Sequence, residues 1–217
     1  MEILVQGALN AGGGVTLPAF AQQATHSTIT LPSGWTAARH TLGRGRMRAA
    51  EVRARGDGFR LGLVQGACDG AEVRTIARHH YGRYVMRMKT PRAPGSISAF
   101  FLYADVRGGN DEIDIEILND TSRAALLTTW IAGEKTHELK VRLGFDPSAA
   151  YHDYAIRWSR TVLRFDADGA PLAVVHEKFP VTPMKVMANI WWPAWTQCAP
   201  PSTSVALEIE SYTLRDR

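Results

Sequence analysis

Residues Glu112-Ile113-Asp114-Ile115-Glu116 alternate three carboxylates with two isoleucines. Successive side chains of a β-strand point to opposite faces. The stretch therefore reads as a strand with Glu112, Asp114 and Glu116 on one face and Ile113, Ile115 and Ile117 on the other. The isoleucine face suits burial between two sheets. The acidic face sets three like charges in a row with nothing basic between them. Such a row holds carboxyl groups at different protonation states, which acid–base chemistry requires.

Strand-like segments recur on both sides of this stretch, separated by turn residues. They are 60–64, 84–89, 97–103, 112–118, 124–131, 151–158, 161–167, 170–176, 184–191 and 205–213. Asp168-Gly169 between two apolar runs is a hairpin signal, and Gly108-Gly109-Asn110 reads as a loop before the acidic strand. No segment keeps an apolar 3.6-residue period beyond two turns, and there is no internal repeat. Many short strands with Gly and Pro turns predict an all-β fold, a jelly-roll sandwich of two antiparallel sheets.

Length and composition agree with one such domain. The chain has 217 residues, 45% of them hydrophobic, which is enough for a sizeable core. A net charge of +4 with scattered basic residues gives no case for nucleic acid. The densest basic stretch, 39–60, reads as solvated strand edges and turns. No run approaches about 18 apolar residues, so no membrane span is expected. Residues 1–21 are read as a truncated signal peptide or a flexible leader: 8–21 are small and apolar and end in Ala19-Phe20-Ala21, but no positive start precedes them. The sandwich domain is then 22–217, and the location secreted or periplasmic. Cys68 and Cys198 are the only cysteines. They either close a long loop or stay as two thiols. The seven histidines are dispersed, and no Cys/His spacing suits zinc.

Alternate strand residues lie about 6.8 Å apart, which separates the Cα atoms of Glu112 and Glu116 by about 13 Å. On a bent sheet their long side chains can lean together across the shorter Asp114. Two carboxyl groups about 5 Å apart are what a retaining glycosidase uses. An acidic strand face or a calcium site would show the same alternation.

Beyond the alternation, Asn110-Asp111-Glu112-Ile113-Asp114-Ile115-Glu116-Ile117-Leu118 resembles the active-site strand of glycoside hydrolase family 16. Within it the chain resembles the branch of bacterial lichenases and xyloglucan endotransglycosylases, because it lacks the extra residue that laminarinases, agarases and carrageenases carry before the last Glu. The resemblance runs from about residue 35 to the C-terminus. Glu72, Arg74 and Tyr81-Gly82-Arg83-Tyr84 resemble paired strands ahead of the catalytic one. Ser98 to Tyr103, Leu143 to Pro147, Tyr151 to Trp158, Phe165 to Gly169 and Met187 to Trp191 follow in the family's order.

The resemblance implies a concave substrate cleft, a polysaccharide substrate and a retaining mechanism. Glu112 matches the family nucleophile, Asp114 its helper carboxylate and Glu116 the acid/base. Glu72, Arg74, Phe101, Tyr103, Asn189 and Trp191 fall where the family contacts sugar. Aromatic rings suit the apolar faces of pyranoses. Adjacent tryptophans on a strand cannot both face the core, so Trp191 and Trp192, with nearby Trp195, are read as substrate-binding candidates. No organic cofactor is implied; a structural calcium is common in the family, without ligands assignable here. The protein is expected to be a monomer.

The implied activity is endo-cleavage of internal β-glucosidic bonds, with mixed-linkage β-1,3-1,4-glucan as the default substrate. A transglycosylase and a non-catalytic carbohydrate-binding jelly roll are the alternatives. Three departures from the family bear on the subsites. Asn110 stands where lichenases have an aromatic residue, Asn119 stands in place of a Gly, and Ala124 to Trp130 is more apolar than the family's next strand.

Overall fold

A computed structural model describes residues 30–216. The signal-peptide or leader reading of residues 1–21 lies outside them. In chain order the strands are β1 (Trp35–Ala37), β2 (Thr41–Leu42), β3 (Gly45–Arg46), β4 (Val52–Arg55), β5 (Gly58–Leu63), β6 (Ala71–Thr75), β7 (Gly82–Lys89) and β8 (Ile97–Val106). They continue as β9 (Gly109–Leu118), β10 (Ala124–Ile131), β11 (Glu134–Arg142), β12 (His152–Trp158), β13 (Leu163–Ala167), β14 (Ala170–Val175), β15 (Lys185–Trp191) and β16 (Val205–Asp216). A 3-10 turn at Ala49–Glu51 is the one helical element among the described residues.

Two seven-stranded antiparallel sheets form a jelly-roll sandwich. One, here the cleft sheet, runs β1-β6-β15-β8-β9-β10-β11; the other, the back sheet, runs β14-β13-β12-β7-β16-β5-β4. The chain lays down the meander β8 to β11 in the first sheet and β12 to β14 in the second. Its last two long strands then insert centrally, β15 between β6 and β8 and β16 between β5 and β7. The hairpin β2–β3 stands apart from both sheets.

Period-two patterning explains which face each strand buries. Ile113, Ile115 and Ile117 are fully buried between the sheets, each burial stabilising by about 2 kcal/mol. Opposing them from the back sheet are Tyr84, Met86 and Met88 of β7, while Arg83, Arg87 and Lys89 of the same strand point outward. Edge strands are kept polar: β11 is Glu-Lys-Thr-His-Glu-Leu-Lys-Val-Arg and largely exposed, which discourages pairing with another chain.

Cys68, in the β5–β6 connection, is joined to Cys198, beyond β15, with Cα atoms 5.9 Å apart. This settles the choice the sequence left open. The bridge spans 130 residues, and loop entropy of that size stabilises by about 5 kcal/mol. The Asp168-Gly169 turn forms as expected, both residues at positive φ. The Gly108-Gly109-Asn110 loop is shorter than read. Gly109 and Asn110 already pair with Val106 and Asp105, leaving Arg107-Gly108 as the turn. A Cβ on Gly109 would sit 2.6 Å from the Gly133 Cα, so this turn packs tightly on the β10–β11 turn.

Candidate active site

Strand register lays the cleft floor out as a grid. Tyr103, Glu112 and Trp130 sit in one row, Phe101, Asp114 and Thr128 in the next, and Ala99, Glu116 and Leu126 in the third. β11 extends these rows with Lys135, Glu138 and Lys140. On the other side β15 adds Lys185, Met187 and Asn189. β6 then sets Arg74 beside Met187 and Glu72 beside Asn189. All of these side chains line one open cleft of about 1130 Å³.

The three carboxyl groups are the electrostatic centre of that floor. Asp114 is 4% exposed and accepts a hydrogen bond from the Thr128 hydroxyl. Burial, then the neighbouring Glu112, hold its pKa well above the usual carboxylate range. Glu112 is pushed up to about 7, mainly by burial, while a hydrogen bond from Asp114 acts in the opposite direction. The proton of this pair therefore sits on Asp114, which donates it to an ionised Glu112. Glu112 Oε2 also accepts from Asn110 Nδ2 at 2.8 Å. Glu116 is pushed up to about 8, chiefly by burial, with Lys135 opposing. Between about pH 7 and about 8 Glu112 is thus mostly ionised while Glu116, four residues on along the same face, mostly keeps its proton.

The flank beyond β8 is a second polar cluster. Glu72, 1% exposed, faces His40 Nε2 at 3.0 Å and accepts from Asn189 Nδ2 at 3.3 Å. That hydrogen bond to Glu72 is the main reason the His40 pKa is raised. Among the described residues, buried Arg74 Nε, Asn189 Oδ1 and Trp191 Nε1 have no hydrogen-bond partner in the protein. All three belong to residues that line the cleft, where substrate hydroxyls can satisfy them. Trp191 is held by the β2–β3 hairpin: Gly43, at φ 56°, approaches so closely that a Cβ would lie 2.8 Å from the indole.

Glu72, Arg74, Phe101, Tyr103, Asn189 and Trp191 are thus all brought to the cleft with the three carboxylates. Phe101 is only 5% exposed and packs with Ile97, Ala99 and Met187 as an apolar patch on β8 and β15 beside the carboxylates. Trp192 is not in the cleft. It is 1% exposed inside the core, because strand alternation that turns Trp191 toward the cleft turns Trp192 inward. Trp195, 64% exposed, lines the cleft instead. His40, Thr128, Trp130 and Lys135 are cleft residues that sequence reasoning did not single out as site residues. For Thr128 and Trp130 the signal was present, since both share the cleft parity of β10. Among the described residues no three His, Cys, Asp or Glu side chains gather as a metal site.

The model of the glycosyl hydrolases family 16 matches residues 35–206, most of the chain. The protein belongs to this family. The chain is 36% identical to the β-glucanase of Bacillus subtilis (strain 168) over 138 residues, which cover 61% of this chain and 57% of that protein. It spans little more than half the length of that curated relative. Among solved structures, the β-glucanase of Bacillus licheniformis superposes with a TM-score of 0.75 at 27% identity, covering 84% of this chain and 92% of that one. A prokaryotic β-1,3-1,4-glucanase (lichenase) from a mouse hindgut metagenome gives 0.74 at 25% identity, with 84% and 93% covered.

As a family 16 member the chain departs from the expected pattern at positions that now have a physical account. Asn110 supplies a donor to Glu112. Asn119 is buried at the end of β9, where its side chain accepts from Ser98 Oγ at 2.9 Å and donates to Ser96 Oγ at 2.9 Å. It therefore ties β9 to the start of β8 rather than meeting a ligand. The apolar stretch of β10 presents Leu126, Thr128 and Trp130 to the cleft, with Lys135 Nζ 5.1 Å from the Trp130 ring centroid.

Proposed function

We propose that the protein is a retaining, endo-acting glycoside hydrolase that cleaves internal β-glucosidic bonds of a β-glucan, with mixed-linkage β-1,3-1,4-glucan as its substrate. The observation that carries this is the single strand face on which Glu112, Asp114 and Glu116 stand in consecutive rows at the floor of an open cleft. The three β-glucanase names among the relatives point the same way.

In this reading Glu112 attacks the anomeric carbon as Glu116 gives its proton to the departing glycosidic oxygen. A glycosyl ester on Glu112 results. Glu116, now ionised, takes a proton from water, which attacks the same carbon and releases the sugar with its configuration retained. The proton on Asp114 keeps Glu112 ionised before attack. It also stabilises the carboxylate that leaves in the second step. Arg74, Asn189, Tyr103 and Trp191 would orient the sugars, aromatic faces against pyranose faces and polar atoms against hydroxyls. No organic cofactor enters the scheme. The disulfide supports a secreted or periplasmic location.

The test is a reducing-sugar assay on mixed-linkage β-glucan, β-1,3-glucan, xyloglucan and cellulose, with product masses recorded. Mixed-linkage glucan should be cut and Glu112→Gln should abolish the signal. Turnover unchanged in the variant would overturn the assignment of the nucleophile. Products longer than the substrate would make the protein a transglycosylase.

A further inference from the structure

The back sheet gathers arginines that the sequence scatters. Arg215 pairs with Arg83, Arg83 with Arg157, and Arg157 with Arg164, across the neighbouring strands β16, β7, β12 and β13. All four point away from the core. Neighbouring strands lie about 4.8 Å apart, so the row presents a guanidinium at each such step over about 14 Å. Like charges directly opposite one another weaken a sheet, and one carboxylate answers four cations. That carboxylate, Asp166, is 1% exposed. It accepts from Arg157 Nε at 2.6 Å and from Arg164 Nε at 2.5 Å. Both guanidiniums are thus fixed side by side through Nε, with their terminal nitrogens left to face solvent. Among the described residues Arg83 and Arg215 have no ion-pair partner.

We propose that this row is a docking site for a linear carboxylated polysaccharide, on the sheet opposite the cleft. The planar guanidinium fork accepts carboxylates in two parallel hydrogen bonds. A row of forks at even spacing fits an anionic polymer laid across the strands. The outward positions of these four strands carry no aromatic ring, which leaves nothing to stack on nucleic-acid bases or to enter a bilayer. Choosing a polysaccharide among polyanions also rests on the proposed function, because an enzyme whose cleft takes one glycan works among others. Bound polymer on the back sheet would leave the cleft open and hold the enzyme near its substrate.

The experiment is sedimentation of the full chain with cross-linked polygalacturonate gel, beside a neutral glucan gel, from about 20 mM to about 500 mM salt. The Debye length falls over that range from about 20 Å to about 4 Å. The protein should be retained by the acidic gel at low salt and released at high salt. Arg83→Gln/Arg157→Gln/Arg215→Gln should bind about tenfold more weakly with unchanged glucan hydrolysis, although losing the Arg157 contact to Asp166 lowers its melting temperature. If that variant does not fold, Arg83→Gln/Arg215→Gln, which breaks no ion pair, should still weaken retention. Absence of retention, or equal retention of the variants, would overturn the proposal. So would duplex DNA displacing the protein as readily as soluble polygalacturonate does. Retention is read on intact protein, so a failed hydrolysis assay leaves this result standing.

Discussion

Glu116 costs the fold stability at the pH where it serves chemistry, and replacing it should show this. Its pKa is raised from 4.5 to about 8, chiefly by burial. A raised native pKa means that the native state binds this proton more tightly than the unfolded chain does. The stability this confers is fully present below about pH 4.5 and is lost as pH rises through about 8. By pH 8 the native state has forgone about 4 kcal/mol, and solvent reaching the half-buried side chain in an open cleft reduces this to about 2 kcal/mol. Glu116→Gln keeps the shape and removes the titration. It should melt about 6 °C above the wild type at pH 8 and within about 1 °C of it at pH 5, followed by thermal unfolding in matched buffers. A difference that is equal at the two pH values, or a variant that melts lower at pH 8, would refute the reasoning.

Activity needs Glu112 ionised and Glu116 protonated, so the rate should rise through about pH 7, peak below about 8 and fall above it; a rate still rising at pH 9 would contradict the assignment. Trp191→Ala should raise KM about tenfold with little change in melting. Trp192→Ala should instead cost about 4 kcal/mol of stability, and steady-state kinetics with thermal melts separates the two. Cys198→Ser should lower the melting temperature by about 10 °C, and a reductant should then have no further effect on the variant.

Much of the sandwich was legible because its long strands carry two-residue alternation with turn residues between them. Ala124–Ile131 matches a strand end to end, and the parity of Glu112 to Ile117 names both the core face and the cleft face. β11 escaped notice for a physical reason: as the exposed edge of the cleft sheet it is polar along most of its length, with only two apolar residues, Leu139 and Val141, turned inward, too few to show a period. The strands β1 to β3 are too short to show any period. The carboxylates were legible because they are local to one strand. The pairing of Glu72 with His40, the entry of Lys135 into the cleft and the arginine row all depend on strands distant in sequence coming side by side. Trp192 was misplaced because the 191–192 pair was read as an aromatic cluster before the parity of β15 was applied to each ring.

The central claim is that Glu112 forms a covalent bond to the sugar. Incubation with an activated 2-deoxy-2-fluoro β-gluco-oligosaccharide, followed by intact mass and peptide mapping, tests it directly. The account predicts one added glycosyl group, located on Glu112, that is absent from Glu112→Gln. A label on another residue, or turnover of glucan with no adduct and inverted anomeric product, would contradict it.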